Sequence, residues 1–147
     1  MVDIYVATFA VAVLALAVNI FNTYKSNLES KRANEIAKGQ AEMQIRAMIS
    51  GAELNYQKVS IQHSTNTKNK VLEHAVKSAL EVVLNAYDEA CAKYNDNKID
   101  RIRFKQLYID EIRNIVEDEN TKVYYQMPQS KYKATIKVYD EWNNLEK

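Results

Sequence analysis

Residues 95–100 (NDNKID) come nearest, in this sequence, to the residue types of a metal-binding loop. Calcium loops of the EF-hand type place oxygen ligands at alternate positions, then a glycine for the sharp turn, then a glutamate at the twelfth position. Here Ile99 occupies a ligand position, and neither the glycine nor the glutamate follows. We therefore predict a simple turn, with Asp100 as the N-cap of the next helix.

Histidine and cysteine are too sparse to build a recognisable site. Zinc needs three or four ligands, whereas this chain has His63, His74 and Cys91. Cys91 falls on the apolar stripe of a predicted helix, where a thiol behaves as a small hydrophobic group. The acidic run at 117–119 is typical of a solvated helix end. We expect no catalytic, cofactor-binding or metal-binding residues, and hence no enzyme activity and no cofactor.

Composition predicts an all-α protein. The 147 residues include 2 glycines and 1 proline, so little interrupts long helices and phosphate-binding glycine loops are excluded. Formal net charge is +1, which gives no concentrated basic face for nucleic acid. No small-molecule substrate is evident. A single cysteine excludes an intrachain disulfide and fits a reducing compartment.

Residues 4–21 (IYVATFAVAVLALAVNIF) carry no charge and show no polar face. Crossing a hydrocarbon core takes about 20 residues of helix, so we predict a transmembrane anchor over residues 1–23. Positive residues follow the run and only Asp3 precedes it, which predicts a single-pass protein of the inner (plasma) membrane. The N-terminus would then lie outside and the C-terminal domain in the cytoplasm. The positive residues are Lys25, Lys31, Arg32 and Lys38.

Two other interpretations of the run stay open. Ala15-Leu16-Ala17 has the small-x-small pattern of a signal-peptide cleavage site, although the region before it lacks Lys and Arg. A buried helix of an oligomer is the other alternative.

Residues 24–62 are predicted to continue the anchor as a helical stalk, with Gly39 and the pair Ser50-Gly51 as weak points. Two apolar seams run along it. The first seam has a 4-3-4-3 spacing and is a candidate interaction seam; the second is diluted by Gln40 and Ser50. Packing on the chain's own domain and coiled-coil self-association both explain such spacing. The first seam is Ile45, Ile49, Ala52, Tyr56 and Val59, and the second seam is Ile36, Met43, Ala47 and Leu54.

Beyond a linker or turn at 63–69 (HSTNTKN), residues 70–147 predict a small bundle of three shorter helices. Asn69 or Thr67 is a candidate cap for the first, 70–94, and the second spans 101–117. Residues 118–130 are irregular, with a short extended piece at 123–125. Ser130 would cap a last helix, 131–145, which carries a candidate aromatic contact face. That face is Tyr132, Tyr139 and Trp142.

At the level of the whole chain, and most of all in VLNAYDEACAKYNDNKIDRIRFKQLYIDEIRNIVED (residues 83–118), the sequence resembles uncharacterised small single-pass membrane proteins of bacteria and their phages. The resemblance implies an N-terminal anchor and a cytoplasmic helical domain. It implies no activity and assigns no functional residue.

These observations predict a membrane-anchored helical interaction or scaffold protein that pairs with itself or with a partner helix. The alternative is a membrane-perturbing effector that oligomerises through its anchor, in the manner of holins or phage-defence proteins. A small-residue side would allow close helix packing in that case. It consists of Ala10, Ala12, Ala15 and Ala17.

Overall fold

A computed structural model describes residues 2–65, 67–126 and 128–144; the side chains of residues 2–7 and 10 lie outside the described part. Within these ranges the chain is helical and contains no strand, which confirms the predicted all-α class. The elements are α1 (Val2–Thr65), α2 (Lys70–Asn95), α3 (Arg101–Glu117), a 3-10 turn (Lys122–Tyr125) and α4 (Lys133–Asn144).

The chain forms two units, and α1 contributes to both. The first unit ends at Ala37 and the second begins at Lys38. The boundary therefore falls inside the predicted stalk, because residues of α1 beyond it bury side chains against α2 and α3. The bundle accordingly has four helices where the sequence predicts three.

In the run that ends at Phe21, the large apolar side chains that the structure describes are exposed; Phe9, Leu16 and Phe21 are 72%, 60% and 65% exposed. Among the described residues, no helix is both long and apolar enough to span a membrane. The predicted anchor includes residue 1 and the side chains of residues 2–7 and 10, which lie outside the described residues.

The predicted caps of α2 and α3 are confirmed, with Asn69 as the cap of α2. The Asn69 side chain accepts hydrogen bonds from the backbone N–H groups of Val71 (3.0 Å) and Leu72 (3.4 Å) at the start of α2. Asp100 accepts one from the N–H of Arg103 (3.0 Å) at the start of α3. Each carboxylate or amide oxygen thus satisfies donors that the first helical turn leaves without an internal acceptor.

The turn between α2 and α3 follows from Asn97, which adopts a left-handed backbone conformation with φ of 57°. Its N–H bonds to the carbonyl of Tyr94 (3.1 Å), and the next N–H, of Lys98, bonds to that of Lys93 (2.9 Å). This pair of bonds is the Schellman motif, here with asparagine where glycine is commoner. Ile99 then turns inward and is fully buried.

Helices of the second unit alternate in direction. Residues later in α2 contact residues earlier in α3, and the same holds between α3 and α4. Each of these helices is therefore antiparallel to the next. The contacts are Tyr94 with Phe104 and Tyr87 with Tyr108 for the first pair, and Trp142 with Phe104 and Tyr139 with Glu117 for the second. α2 lies at the centre, which explains the broad apolar stripe in its sequence.

Several local predictions differ from the structure. α1 continues to Thr65, into the predicted linker, because the hydroxyls of Ser64 and Thr65 bond back to carbonyls of their own helix. The helix also runs through both predicted weak points at its glycines, since isolated glycines weaken a helix without ending it.

The segment 123–125, predicted as extended, belongs to the 3-10 turn. Ser130 does not directly precede α4, which begins at Lys133. Its hydroxyl instead donates to the carbonyl of Tyr124 (2.7 Å) and accepts from the N–H of Tyr132 (3.1 Å). Ser130 thereby links the turn to the approach of the helix.

Candidate functional site

The first seam of α1 lies in the core of the bundle. Ile45, Ile49 and Ala52 are 1%, 4% and 6% exposed, and Tyr56 and Val59 are half-buried. Ile45, Ile49, Ala52 and Tyr56 belong to the main core cluster, together with apolar residues of α2, α3 and α4. The chain's own helices therefore cover the seam, and it is not accessible to a partner helix. Of the two interpretations of its spacing, this agrees with packing on the chain's own domain.

Two glutamates of α1 attach it to the bundle. Glu42 accepts hydrogen bonds from the backbone N–H of Asp100 (3.1 Å) and from the guanidinium of Arg103 (2.9 Å). About three helical turns further along α1, Glu53 accepts a hydrogen bond from the Tyr87 hydroxyl (2.8 Å). Sequence periodicity does not reveal these contacts, because charged residues at such positions read as a solvated helix face.

The predicted aromatic contact face is mostly core. Tyr132 and Trp142 are each 2% exposed, and Tyr139 is half-buried with its hydroxyl donating to Glu117 (2.7 Å). Tyr132 packs with Tyr125 and Leu84 in a small second cluster, away from Trp142. Trp142 and Tyr139 belong to the main core cluster and Tyr132 to the second, so the three side chains do not form one surface.

Tyr94 is the centre of a polar network that joins α2, α3 and α4. Its hydroxyl donates to Glu141 (2.9 Å) and accepts from the indole N–H of Trp142 (3.0 Å) and from Arg101 (3.2 Å). Arg101 also pairs with Glu141 at 2.6 Å, and its guanidinium lies 4.4 Å from the centre of the Tyr94 ring. In this network the charge of Arg101 is balanced by that of Glu141, and the polar groups bond to one another. The network therefore serves to hold the three helices together.

A groove of about 400 Å³ opens where α1, α2 and α3 meet. Its polar groups come from all three helices and from the residues after α3: Glu53, Tyr56, Tyr87, Asn114, Asp118, Asn120 and Thr121. Burial, with the hydrogen bond to Glu53, raises the pKa of the Tyr87 hydroxyl, so it stays protonated and donates. The groove therefore presents hydrogen-bonding groups that include two carboxylates, those of Glu53 and Asp118.

Cys91 lies in the main core cluster, on the apolar stripe of α2 where the sequence places it. Cys91 is fully buried, and burial raises the pKa of its thiol to about 12, which keeps it protonated and unreactive. Within the described ranges, no three His, Cys, Asp or Glu side chains come together as a metal-binding group.

Uncharged side chains, four apolar and three polar, line the face of α1 that points away from the core. We name this set the outer row: it repeats with a 3-4-3-4-3-4 spacing, and every member is exposed. It contains the part of the second seam that lies in the second unit and extends it by one more large residue, Ile61. The outer row is Gln40, Met43, Ala47, Ser50, Leu54, Gln57 and Ile61.

Comparison with protein-family models, with curated proteins and with solved structures finds no match to this chain.

Proposed function

We propose that this protein is a membrane-anchored interaction protein. In this proposal residues 4–21 hold the chain in the inner (plasma) membrane, and the four-helix unit presents a binding surface on the cytoplasmic side. The observation that supports the anchor is a run of uncharged residues whose described large side chains have no protein packed on them.

An apolar surface of this size requires cover. Phe9 and Val11 lie on nearly opposite sides of the helix, and each is more than 60% exposed. Each large apolar side chain moved from water to hydrocarbon gains roughly 1.5–3 kcal/mol, so several together favour a bilayer strongly. Because the apolar residues surround the helix, a spanning position suits it better than a position flat on the membrane surface.

Confinement to a membrane would serve an interaction protein directly. A tethered domain meets its neighbours at a much higher effective concentration than a free one, so a weak contact surface is sufficient for association. The basic residues that follow the anchor favour a cytoplasmic position for the bundle. This supports an orientation with the N-terminus outside.

The anchor is tested by placing charges in it. Val13→Lys with Leu16→Lys adds two lysines near the middle of the run, each costing roughly 2.5–3.5 kcal/mol of insertion free energy. We expect the variant to leave the membrane fraction after carbonate extraction, while the unchanged chain stays. The matched control adds the same two charges at exposed apolar positions of the bundle, Val71→Lys with Ile102→Lys (75% and 74% exposed).

A double variant that stays in the membrane fraction, or an unchanged chain that carbonate extracts, would reject the anchor. Tags at each end refine the result. Protease added outside intact spheroplasts should remove an N-terminal tag and spare a C-terminal one. The loss of the N-terminal tag from a membrane-bound chain before any protease is added would instead indicate cleavage at Ala15-Leu16-Ala17.

A further inference from the structure

The outer row combines exposure, apolar character and regular spacing on one helix. Met43, Leu54 and Ile61 are 66%, 63% and 65% exposed, and none of the seven positions is charged. Charged residues make up 27% of the sequence, so an exposed row without any is unlike an ordinary solvated helix face. Such a 4-3 repeat is the spacing of the contact positions in a coiled coil.

The row lies opposite the side of α1 that the bundle already covers. Leu54 and Ile45 are nine residues apart, as are Ile61 and Ala52, which places each pair about 180° apart around the helix. Ile45 and Ala52 are buried, whereas Leu54 and Ile61 are exposed. This half of α1 is thus apolar on both sides, and its own chain can cover only one of them.

The order of residues in the row favours a second copy of the same chain as its partner. If two rows pair in parallel and in register, each polar member, such as Gln40 or Gln57, meets its own counterpart, and each apolar member meets an apolar one. If they pair antiparallel, Gln40 faces Ile61 and Met43 faces Gln57. Polar side chains opposite apolar ones lose hydrogen bonds to water without replacement, so the parallel register is preferred.

The residues beside the row are compatible with that register. In a parallel pair, a residue on one flank faces the residue five positions later on the other helix, which brings Glu53 opposite Lys58 of the second copy. Gly39 and Gly51 occupy other flanking positions, and a Cβ placed on either meets nothing within 4 Å. The flanks thus provide one attractive charge pair on each side and leave room for a neighbouring helix.

We propose that the outer row binds the outer row of a second copy, as a parallel, in-register pair of α1 helices. The inference rests on the proposed function, since anchors inserted the same way in one membrane give both copies the same direction. It names the partner of the interaction protein and the surface that holds it.

Single cysteines test the pairing in the full chain, reconstituted in lipid vesicles. Met43→Cys and Ile61→Cys, each alone, should form symmetric disulfides under mild oxidation. Ile102→Cys, equally exposed on α3, should form at least about tenfold less, because it lies outside the contact. Cys91 is fully buried, which keeps the background low.

An equal mixture of the Met43→Cys and Ile61→Cys chains distinguishes the directions. The parallel pair gives 43–43 and 61–61 products. A dominant 43–61 product would overturn the register, and cross-linking no faster than that of Ile102→Cys would overturn the pairing.

A charge in the row supplies the second measurement. Leu54→Lys should reduce the 43–43 product about tenfold, because it buries two like charges at the contact, while Ile102→Lys should leave it unchanged. Equal effects of both substitutions would contradict the proposal.

Failure of the pairing leaves the anchor untouched, since carbonate extraction measures membrane attachment separately. A chain that cross-links but is extracted by carbonate would contradict the anchor and not the pairing.

Discussion

Two faces of the same helix carry almost the same apolar pattern and have opposite surroundings. On one face of α1, the first seam packs against α2 and α3 and is nearly inaccessible to water at Ile45 and Ile49. On the other face, Met43 and Leu54 of the outer row are exposed over most of their surface. Both faces repeat at three- and four-residue steps, so spacing alone does not decide which is buried.

The difference lies in what flanks each face. The first seam is bordered by Glu42 and Glu53, whose carboxylates reach donors on α3 and α2. Charged hydrogen bonds of this kind fix orientation as well as adding stability. Glu53 also flanks the outer row, but its carboxylate is bonded to Tyr87, and the other flanking positions of the row include Gly39 and Gly51, where an added Cβ meets nothing within 4 Å. One face is thus attached within the chain, and the other is available to another molecule.

Truncation on the covered face gives the largest expected effect. Ile49→Ala should lower the free energy of unfolding by about 2–5 kcal/mol, because it leaves a cavity in a packed core. Urea unfolding followed by tryptophan fluorescence measures this in mild detergent, since Trp142 is the single tryptophan and is buried in the bundle. A loss below about 1 kcal/mol would mean that the two faces are not as different as their exposure indicates.

Removing an attachment gives an intermediate effect. Glu42→Ala leaves the N–H of Asp100 without its acceptor and removes the nearer of the two carboxylates that pair with Arg103, and we expect a loss of about 1–3 kcal/mol. The matched control is Glu119→Ala, whose side chain is 89% exposed and pairs with Lys122 at 3.5 Å. Exposed pairs of that kind contribute about 0–1 kcal/mol. Equal losses for the two substitutions would show that Glu42 does not hold α1 to the bundle.

Truncation on the outer row gives the smallest effect on folding. Leu54→Ala should change the free energy of unfolding by less than about 0.5 kcal/mol in dilute detergent, where the copies are apart. The same substitution should lower the apparent stability more at high protein concentration, because pairing stabilises the folded chain by mass action. An effect at every concentration as large as that of Ile49→Ala would place Leu54 in a core contact and remove the contrast between the faces.

Much of the fold follows from local sequence signals. Asn69 and Asp100 begin α2 and α3 because their side chains accept from the first free N–H groups, and both are visible in the sequence. The predicted bounds of α3 agree with the structure, and those of α2 differ by one residue. Such signals act within a few residues of the chain, which is why they can be read without a structure.

The sequence predicts where the candidate interaction surfaces lie on α1, but not which of them is exposed. The sequence reveals two seams on α1, but the choice between them depends on Glu42 meeting Arg103 and Glu53 meeting Tyr87, pairs that are far apart in the chain. The aromatic residues of the last helix show the same limit. Trp142 is buried through its contacts with Tyr94 and Phe104, which no pattern within α4 predicts.

The short turn around Asn97 influences how the chain assembles during synthesis. α2 and α3 are neighbours in sequence, so they can pair as soon as both have left the ribosome, with little loop entropy to overcome. At roughly 5–20 residues per second, α1 is complete for a second or more before α2 follows. Over that interval the first seam and the outer row are both bare. The nascent helix thus exposes two faces with apolar side chains. Only when α2 and α3 have followed and packed on the first seam does it expose one.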